Sequence, residues 1–326
     1  MDRTSANFDV HAYLGLRNAK PAQLARHPVA LARTELRLRR LTATPPRRLL
    51  LHREASPLSR GRSERLLLTR AEFAVYDFDD ALQWDDGDGG VLRGFAPKSA
   101  KASIAMRHAD RVIAGNPVLA DWASQHHRDV VIIPSCVAPS SYPSKGSYAL
   151  HDPPRLGWIG SPDNERHLLM IEDPLLEIHR RTGARLILIG TTRPTLGRLE
   201  TIVDRIAWTP SIQGTALGEI DVGLMPVPDT RYGTGKCGYK LLQYGATGVP
   251  AVASPIGVNE DILSLFGMPA PRCSGDWTDA ILGLLRCATT TREGLGTRAR
   301  EITRRQYSYD AWLSRWEAAL ELRTTS

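Results

Sequence analysis

Short apolar runs alternate with longer amphipathic stretches along most of this chain, and that rhythm limits its fold more than any other feature. From about residue 47 the runs are LLLH (49–52), FAVYDF (73–78), RVIAG (111–115) and VVIIP (130–134). The series resumes with RLGWIG (155–160), RLILIG (185–190), RIAWTP (205–210), DVGLMPV (221–227) and PAVAS (250–254). Stretches such as 98–108 and 117–127, between the runs, have helical character. Strands alternating with helices imply βαβ units and parallel sheets. Between the two series lies SCVAPSSYPSKGSYALHDPP (135–154), rich in Pro, Ser and Gly and without apolar period, which reads as a linker. The expectation is an α/β chain of two Rossmann-like, doubly wound domains: residues 1–140, a linker proper at 141–154, and residues 155–305. Residues 306–326, with apolar positions at helical spacing in YSYDAWLSRWEAALEL, form a final helix. Ligands of such sheets bind outside the carboxyl ends of the strands, so two facing domains place those ends on one central cleft. The first 46 residues show no opening strand with a glycine-rich turn. Residues 22–41 read as helical despite Pro28, so the first domain is short or atypical, or its start is shortened.

At 326 residues the chain has room for two such domains. It contains no apolar run of the ~18 residues a membrane-spanning helix needs. MDRTSANFDVHAYL lacks the basic start and apolar core of a secretory signal. Cys136, Cys237, Cys273 and Cys287 are far apart and form no C-x-x-C pair, which suits free thiols in a reducing cytoplasm. The net charge of +7 is unevenly spread: residues 17–70 hold 13 Arg and one Lys against Glu35, Glu54 and Glu64. Such a block is either a solvated basic face or a surface for an anionic partner. It lacks the interleaved aromatics of single-strand binding, so no nucleic-acid partner is expected. Peripheral membrane contact through this segment stays open.

Lysine is scarce: Lys20, Lys98, Lys101, Lys145, Lys236 and Lys240 stand against 36 Arg. Two of the six fall in GTGKCGYKLLQYGATGVPAVASPIG (233–257). Gly-Thr-Gly-Lys resembles half a P-loop, but the pattern G-x-x-x-x-G-K-[ST] fails at Thr230 and at Cys237. A helix over 238–247, loosened at its start by Gly233, Gly235 and Gly238 and ending at Gly248, fits better. Lys236, Lys240 and Gln243 then recur at i, i+4 and i+7 on one face. A helix N-terminus beside two lysines attracts a diphosphate without any P-loop.

The segment DVGLMPVPDTRYGTGKCGYKLLQYGATGVPAVASPIGVNEDIL (221–263) resembles the donor-binding signature of glycosyltransferase family 4. RLGWIGSPDNERHLLMI (155–171) resembles the strand and glycine turn that open the donor domain of those enzymes. ADRVIAGNPVLADWA (109–123) and VVIIPSCV (130–137) resemble the last strands of their acceptor domain, and YDFDDALQW (76–84) a strand end of one subgroup. The resemblance implies the GT-B fold, retaining sugar transfer, a nucleoside diphosphate sugar as substrate, no tightly bound cofactor and no required divalent metal. It also implies a final helix that packs back on the N-terminal domain. Donor contacts then fall at Gly160, Ser161, Lys236, Lys240, Gln243, Gly257 and Asn259, with the base near Gly190-Thr191 and Trp208–Ser211. Asn116 sits where relatives approach the donor sugar, and is equally a helix cap before Pro117. Two departures stand out. The family's paired glutamates, eight positions apart, fall at Gly235 and Gln243; and an Arg common after the glycine turn is replaced by Ser161, followed by Asn164-Glu165-Arg166. Gln243 can still bond a hydroxyl, but Gly235 has no side chain to replace a carboxylate.

Asp77, Asp79 and Asp80 form D-x-D-D at a strand end. Close carboxylates are costly unless paired, hydrated or metal-bound, and crowding raises some of their pKa values. Asp79 and Asp80 are the candidate catalytic residues, able to orient or deprotonate an acceptor hydroxyl or amine; a capping role before a helix at 80–84 is the alternative. WDDGDGG (84–90) lacks the spaced ligands of a calcium loop and reads as a mobile acidic loop. His52, His108, His126 and His127 show no metal spacing; His52, ending a strand, could face the cleft, with a structural histidine the preferred reading. Together these features predict a cytoplasmic, retaining glycosyltransferase acting on a small polar acceptor, as in natural-product assembly. Two alternatives stay open: transfer to a cell-envelope or lipid-linked glycan, and a non-catalytic nucleotide-sugar or polyanion binder.

Overall fold

The computed structural model describes residues 4, 6–13, 24, 26–84, 97–190 and 192–322. Thr191 and most of the acidic run 84–90 lie outside them. The chain divides into two compact units: Met1–Pro134 with Leu313–Ser326, and Ser135–Trp312.

The first unit is built on a four-stranded parallel sheet in the order β1 (Arg48–His52), β2 (Phe73–Phe78), β3 (Arg111–Ala114) and β4 (Val130–Ile132). Helices α1 (Pro28–Ala43), α2 (Arg62–Arg70), α3 (Lys98–His108) and α4 (Pro117–Ser124) occupy the connections. Pro28 starts α1 instead of interrupting it, because a proline at the first helical position loses no hydrogen bond. β2 is an almost continuous apolar run with Ala74, Val75, Tyr76 and Phe78 fully buried, the pattern of a strand covered on both faces. Leu67 and Leu68 of α2, and Ala102, Ala105 and Met106 of α3, supply core side chains beside it. The chain's end belongs to this unit. Arg48 donates to Leu320 O (2.8 Å), Arg111 to Ala319 O (3.1 Å), and the Trp316 ring lies 5.6 Å from that of Phe8.

The second unit holds a five-stranded parallel sheet in the order β7-β6-β5-β8-β9. Its strands are β5 (Arg155–Ile159), β6 (Arg185–Gly190), β7 (Val203–Ala207), β8 (Val222–Met225) and β9 (Ala251–Ala253). The helices are α5 (Pro162–Glu165), α6 (Glu172–Thr182), α7 (Pro210–Gly218), α8 (Arg231–Thr234), α9 (Tyr239–Thr247), α10 (Val258–Phe266), α11 (Ser274–Arg286) and α12 (Thr289–Gln306), followed by α13 (Tyr309–Ala319), whose residues from Leu313 onward belong to the first unit. There are two apolar layers. Leu217, Leu241, Leu242, Leu263, Phe266 and Ala299 draw α7, α9, α10 and α12 into one; Leu175, Ile178, Trp277 and Ile281 draw α6 and α11 into the other. β7 starts two residues before the expected 205 and ends sooner. Thr209 caps α7 by accepting from Ile212 N, and Pro210 opens that helix, so 208–210 leave the sheet.

The stretch 135–154, read as a linker from its composition, is a packed strap of the second unit. Val137 and Tyr142 are buried. Lys145, also buried, donates to Gly218 O and Ile220 O. Polar composition hid this, because the strap is held by hydrogen bonds to carbonyls and not by an apolar period.

Candidate functional site

Strand order locates the first site. From β5 the chain runs outward through β6 and β7, then returns to β8 on the other side of β5. The sheet therefore reverses between β5 and β8, and ligands of doubly wound sheets bind outside the carboxyl ends at such a point. Gly160 follows β5 there, and the chain after β8 leads into α8 and α9. Lys240 Nζ reaches to 5.2 Å from the Trp158 ring of β5. A Cβ at Gly160 would stand 3.0 Å from Lys240 Cε and 2.5 Å from the Trp158 ring, so glycine keeps this path clear. Ser161 stands at the N-cap position of α5 without a side-chain cap bond, and its hydroxyl accepts from Asn164 Nδ2 at 3.1 Å.

Three cations gather here. Burial, then the charges of Lys236, Lys240 and Arg166, push the His167 pKa down to about 4. Burial leads the shift, and the three charges that add to it stand within electrostatic reach of this one imidazole. Lys236 Nζ also lies 4.5 Å from the Tyr232 ring centre. The sequence reading noted Arg166 only as part of a departure from the family pattern, and His167 escaped it, because nothing in their local spacing announces side chains 70 residues further on.

The backbone between β8 and α9 corrects the one-face argument. α9 begins at Tyr239, and Lys236 precedes it in a turn after α8. Lys236, Lys240 and Gln243 therefore do not share one helix face. The glycines make this turn tight, not loose. Gly238 has φ 67, and Gly257 has φ 57 with a Cβ position only 2.2 Å from Thr234 O. The two turns, 233–238 and 255–257, thus pack backbone against backbone. Gly235 ends α8 at φ −79.

Three other candidates hold the frame. Gln243 is buried and donates to Tyr142 OH (3.2 Å), tying α9 to the strap. Gln213 donates to the same hydroxyl and accepts from Trp208 Nε1 at 3.1 Å. Asn259 is buried and donates to Ser254 O at 3.2 Å. In the first unit Asn116 is buried and caps α4, accepting from Leu119 N at 2.9 Å. Behind α5, Glu165 accepts from Arg205 (2.6 Å) and Thr195 (2.5 Å), bracing that helix against β7.

A second cluster lies at the carboxyl ends of β1 and β2, whose register sets His52 opposite Asp77. His52 Nδ1 is 2.9 Å from Asp77 Oδ2, and its Nε2 is 3.7 Å from Asp79 Oδ1. Arg53 lies 2.6 Å from Asp79 Oδ1 and 3.6 Å from Asp80 Oδ2. The three carboxylates are thus partly compensated by two side chains that the sequence reading had not joined to them. Arg53 is a non-glycine residue at φ 60, held there by Arg53 N to Asp77 O and Tyr76 OH to Arg53 O, each 2.9 Å. Such strain persists only where surrounding bonds over-determine it. Among the described residues no three His, Cys, Asp or Glu side chains gather with metal-holding geometry, and no helix is long and apolar enough to cross a membrane.

No family model and no curated protein matches the chain. Solved structures do. Sucrose-phosphate synthase of Thermosynechococcus elongatus superposes with a TM-score of 0.67 at 12% identity over 94% of this chain and 81% of its own. HepE of Anabaena, solved with UDP and glucose, gives 0.64 at 12% identity over 92% and 84%. WaaG, a glycosyltransferase involved in lipopolysaccharide biosynthesis, gives 0.61 at 13% identity over 94% and 85%. At such identities the likeness is one of fold: this chain has the GT-B fold, with a Rossmann-like parallel sheet in each of its two units.

Proposed function

We propose that this protein is a retaining, family-4-like glycosyltransferase that moves a sugar from a nucleoside diphosphate sugar to a small polar acceptor. The observation that carries the reading is Lys240 lying over Trp158 beside the Gly160 turn, with Lys236 in the turn before α9, at the reversal point of the second sheet. A diphosphate is the ligand such a pocket suits, and HepE, of like fold, was solved with UDP. Gly160, Ser161, Lys236, Lys240 and Gly257 form the donor contacts in this reading, with Thr191 expected near the base. Gln243, Asn259 and Asn116 keep their surroundings in register.

In the reaction the bond from the anomeric carbon to the diphosphate oxygen breaks, and the diphosphate leaves with the electron pair. Fixed cations aimed at that growing charge lower the barrier. The acceptor oxygen bonds the same carbon from the same face, and a donor phosphate oxygen takes its proton. Asp79 and Asp80, engaged by Arg53, orient the acceptor instead of removing its proton. A cytoplasmic role in natural-product assembly is the setting we favour, and no metal or resident cofactor is needed for these steps.

Gly235, which offers no carboxylate, favours one second reading: a nucleotide-sugar binder without transfer. Incubation with a panel of nucleoside diphosphate sugars and hydroxylated acceptors separates the two. Acceptor-dependent release of nucleoside diphosphate supports transfer. Binding without release supports the second reading, and salt-sensitive nucleic-acid binding without nucleotide-sugar binding contradicts both.

A further inference from the structure

Helix α1 is 16 residues long and contains no fully buried side chain. Its inner face is made by Leu31, Leu38 and Leu41, all half-buried, and by Thr42, whose carbonyl accepts from Arg70 of α2 at 2.5 Å. Its one carboxylate, Glu35, is also turned inward, accepting from Tyr13 OH (2.7 Å) and Ser56 Oγ (2.6 Å). The outer face is different. At about 100° per residue, Val29, Arg33, Leu36 and Arg40 fall along one line, with Arg37 and Arg39 on its flanks. All six are exposed, Val29 at 63% and Leu36 at 49%. Among the described residues Arg37 meets a carboxylate only at 3.9 Å, on Asp9, and Arg33, Arg39 and Arg40 have no carboxylate partner. Lone exposed apolar side chains are ordinary. Two on one helical line, separated and followed by unpaired arginines, make an amphipathic pattern turned away from the core.

We propose that α1 is a docking helix for an anionic lipid bilayer: it lies in the plane of the surface, its four guanidinium groups on headgroup phosphates and Val29 and Leu36 below them among the acyl chains. Arginine suits this place, because its fork pairs with phosphate while its stem lies along apolar surface. Three properties select a bilayer over other polyanions. The outer face carries cations and no carboxylate, so it complements an anionic surface. Its centre line is apolar, which a nucleic-acid backbone would leave in water, and it offers no aromatic side chain for stacking. Its two large apolar side chains, interrupted by Arg33, are too few for the apolar centre of a stable protein pair burying ~1,600 Å². A fluid surface needs no complementary shape. One short helix gives weak, reversible docking that salt reverses. No step of the transfer scheme uses these residues, so docking and transfer stand or fall separately.

Co-sedimentation of the full chain with vesicles tests the proposal. Vesicles of phosphatidylcholine with about one-third phosphatidylglycerol should pellet the protein, vesicles of phosphatidylcholine alone should not, and added salt should release it. Arg33→Gln combined with Arg40→Gln should weaken binding ~30-fold. Val29→Ser combined with Leu36→Ser should weaken it ~10-fold with the charge unchanged. Both double variants should keep the parent's urea midpoint, because only exposed side chains change. Should either fail to fold, the two-lipid comparison on the parent chain decides alone. Equal binding to both kinds of vesicle, binding to neither, or undiminished binding by either folded double variant overturns the proposal. Capture by duplex DNA or by polyglutamate, without capture by anionic vesicles, overturns it in favour of a nucleic acid or an acidic protein.

Discussion

At the scale of residues, His167 records the charge of the proposed donor pocket. Its pKa of about 4 in the folded protein lies below the ordinary value near 6.5. The unfolded chain therefore binds a proton there first as pH falls, and the folded state loses stability between about pH 6.5 and 4. His167→Gln should flatten that part of the stability curve, measured by urea unfolding at several pH values; an unchanged slope would mean that His167 titrates normally. Adding UDP should raise the His167 pKa, read by NMR, because a diphosphate offsets the three cations. The two lysines of this pocket were legible in the sequence because lysine is scarce in an Arg-rich chain. His167 was not, and Arg166 was noted only as a departure from the family pattern, because only the turn after β5 brings them near the two lysines. Likewise the D-x-D-D run was visible, but its partners His52 and Arg53 depend on the β1–β2 register.

At the scale of elements, the strand series was readable because parallel strands buried on both faces appear as short apolar runs. The geometry around α9 was less so. The helix expected over 238–247 starts one residue later, at Tyr239 after left-handed Gly238, so only the one-face argument, which carried helical spacing back to Lys236, fails. The 233–238 and 255–257 turns hold both proposed cations in place. Gly257→Ala should cost roughly 2 kcal/mol or more, since it combines positive φ with a carbonyl at 2.2 Å from the new methyl. Thr230→Ala, losing the α8 cap to Gly233 N (3.0 Å), should cost about 1 kcal/mol. Equilibrium unfolding checks both, and a neutral Gly257→Ala would show that the turns are free to separate.

At the scale of the molecule, composition misled at the strap. A Pro-, Ser- and Gly-rich stretch is bonded into the second unit through Tyr142, Lys145 and Tyr148. The last residues complete the first unit. A chain ending at Trp312 loses the bonds from Arg48 and Arg111 and the burial of Ala319 and Leu320. It should destabilise the first sheet by roughly 3 kcal/mol or more. Hydrogen exchange should then quicken in β1–β3 and stay slow in β5–β8; equal acceleration in both sheets would contradict the division into units. The central claim, that the reversal point of the second sheet holds a nucleoside diphosphate, is tested most directly by calorimetry with UDP, GDP and ADP. The account predicts that at least one binds, that Lys236→Ala and Lys240→Ala each weaken it ~10-fold or more, and that Lys98→Ala does not. Binding of none, or equal affinity in all three variants, would contradict it.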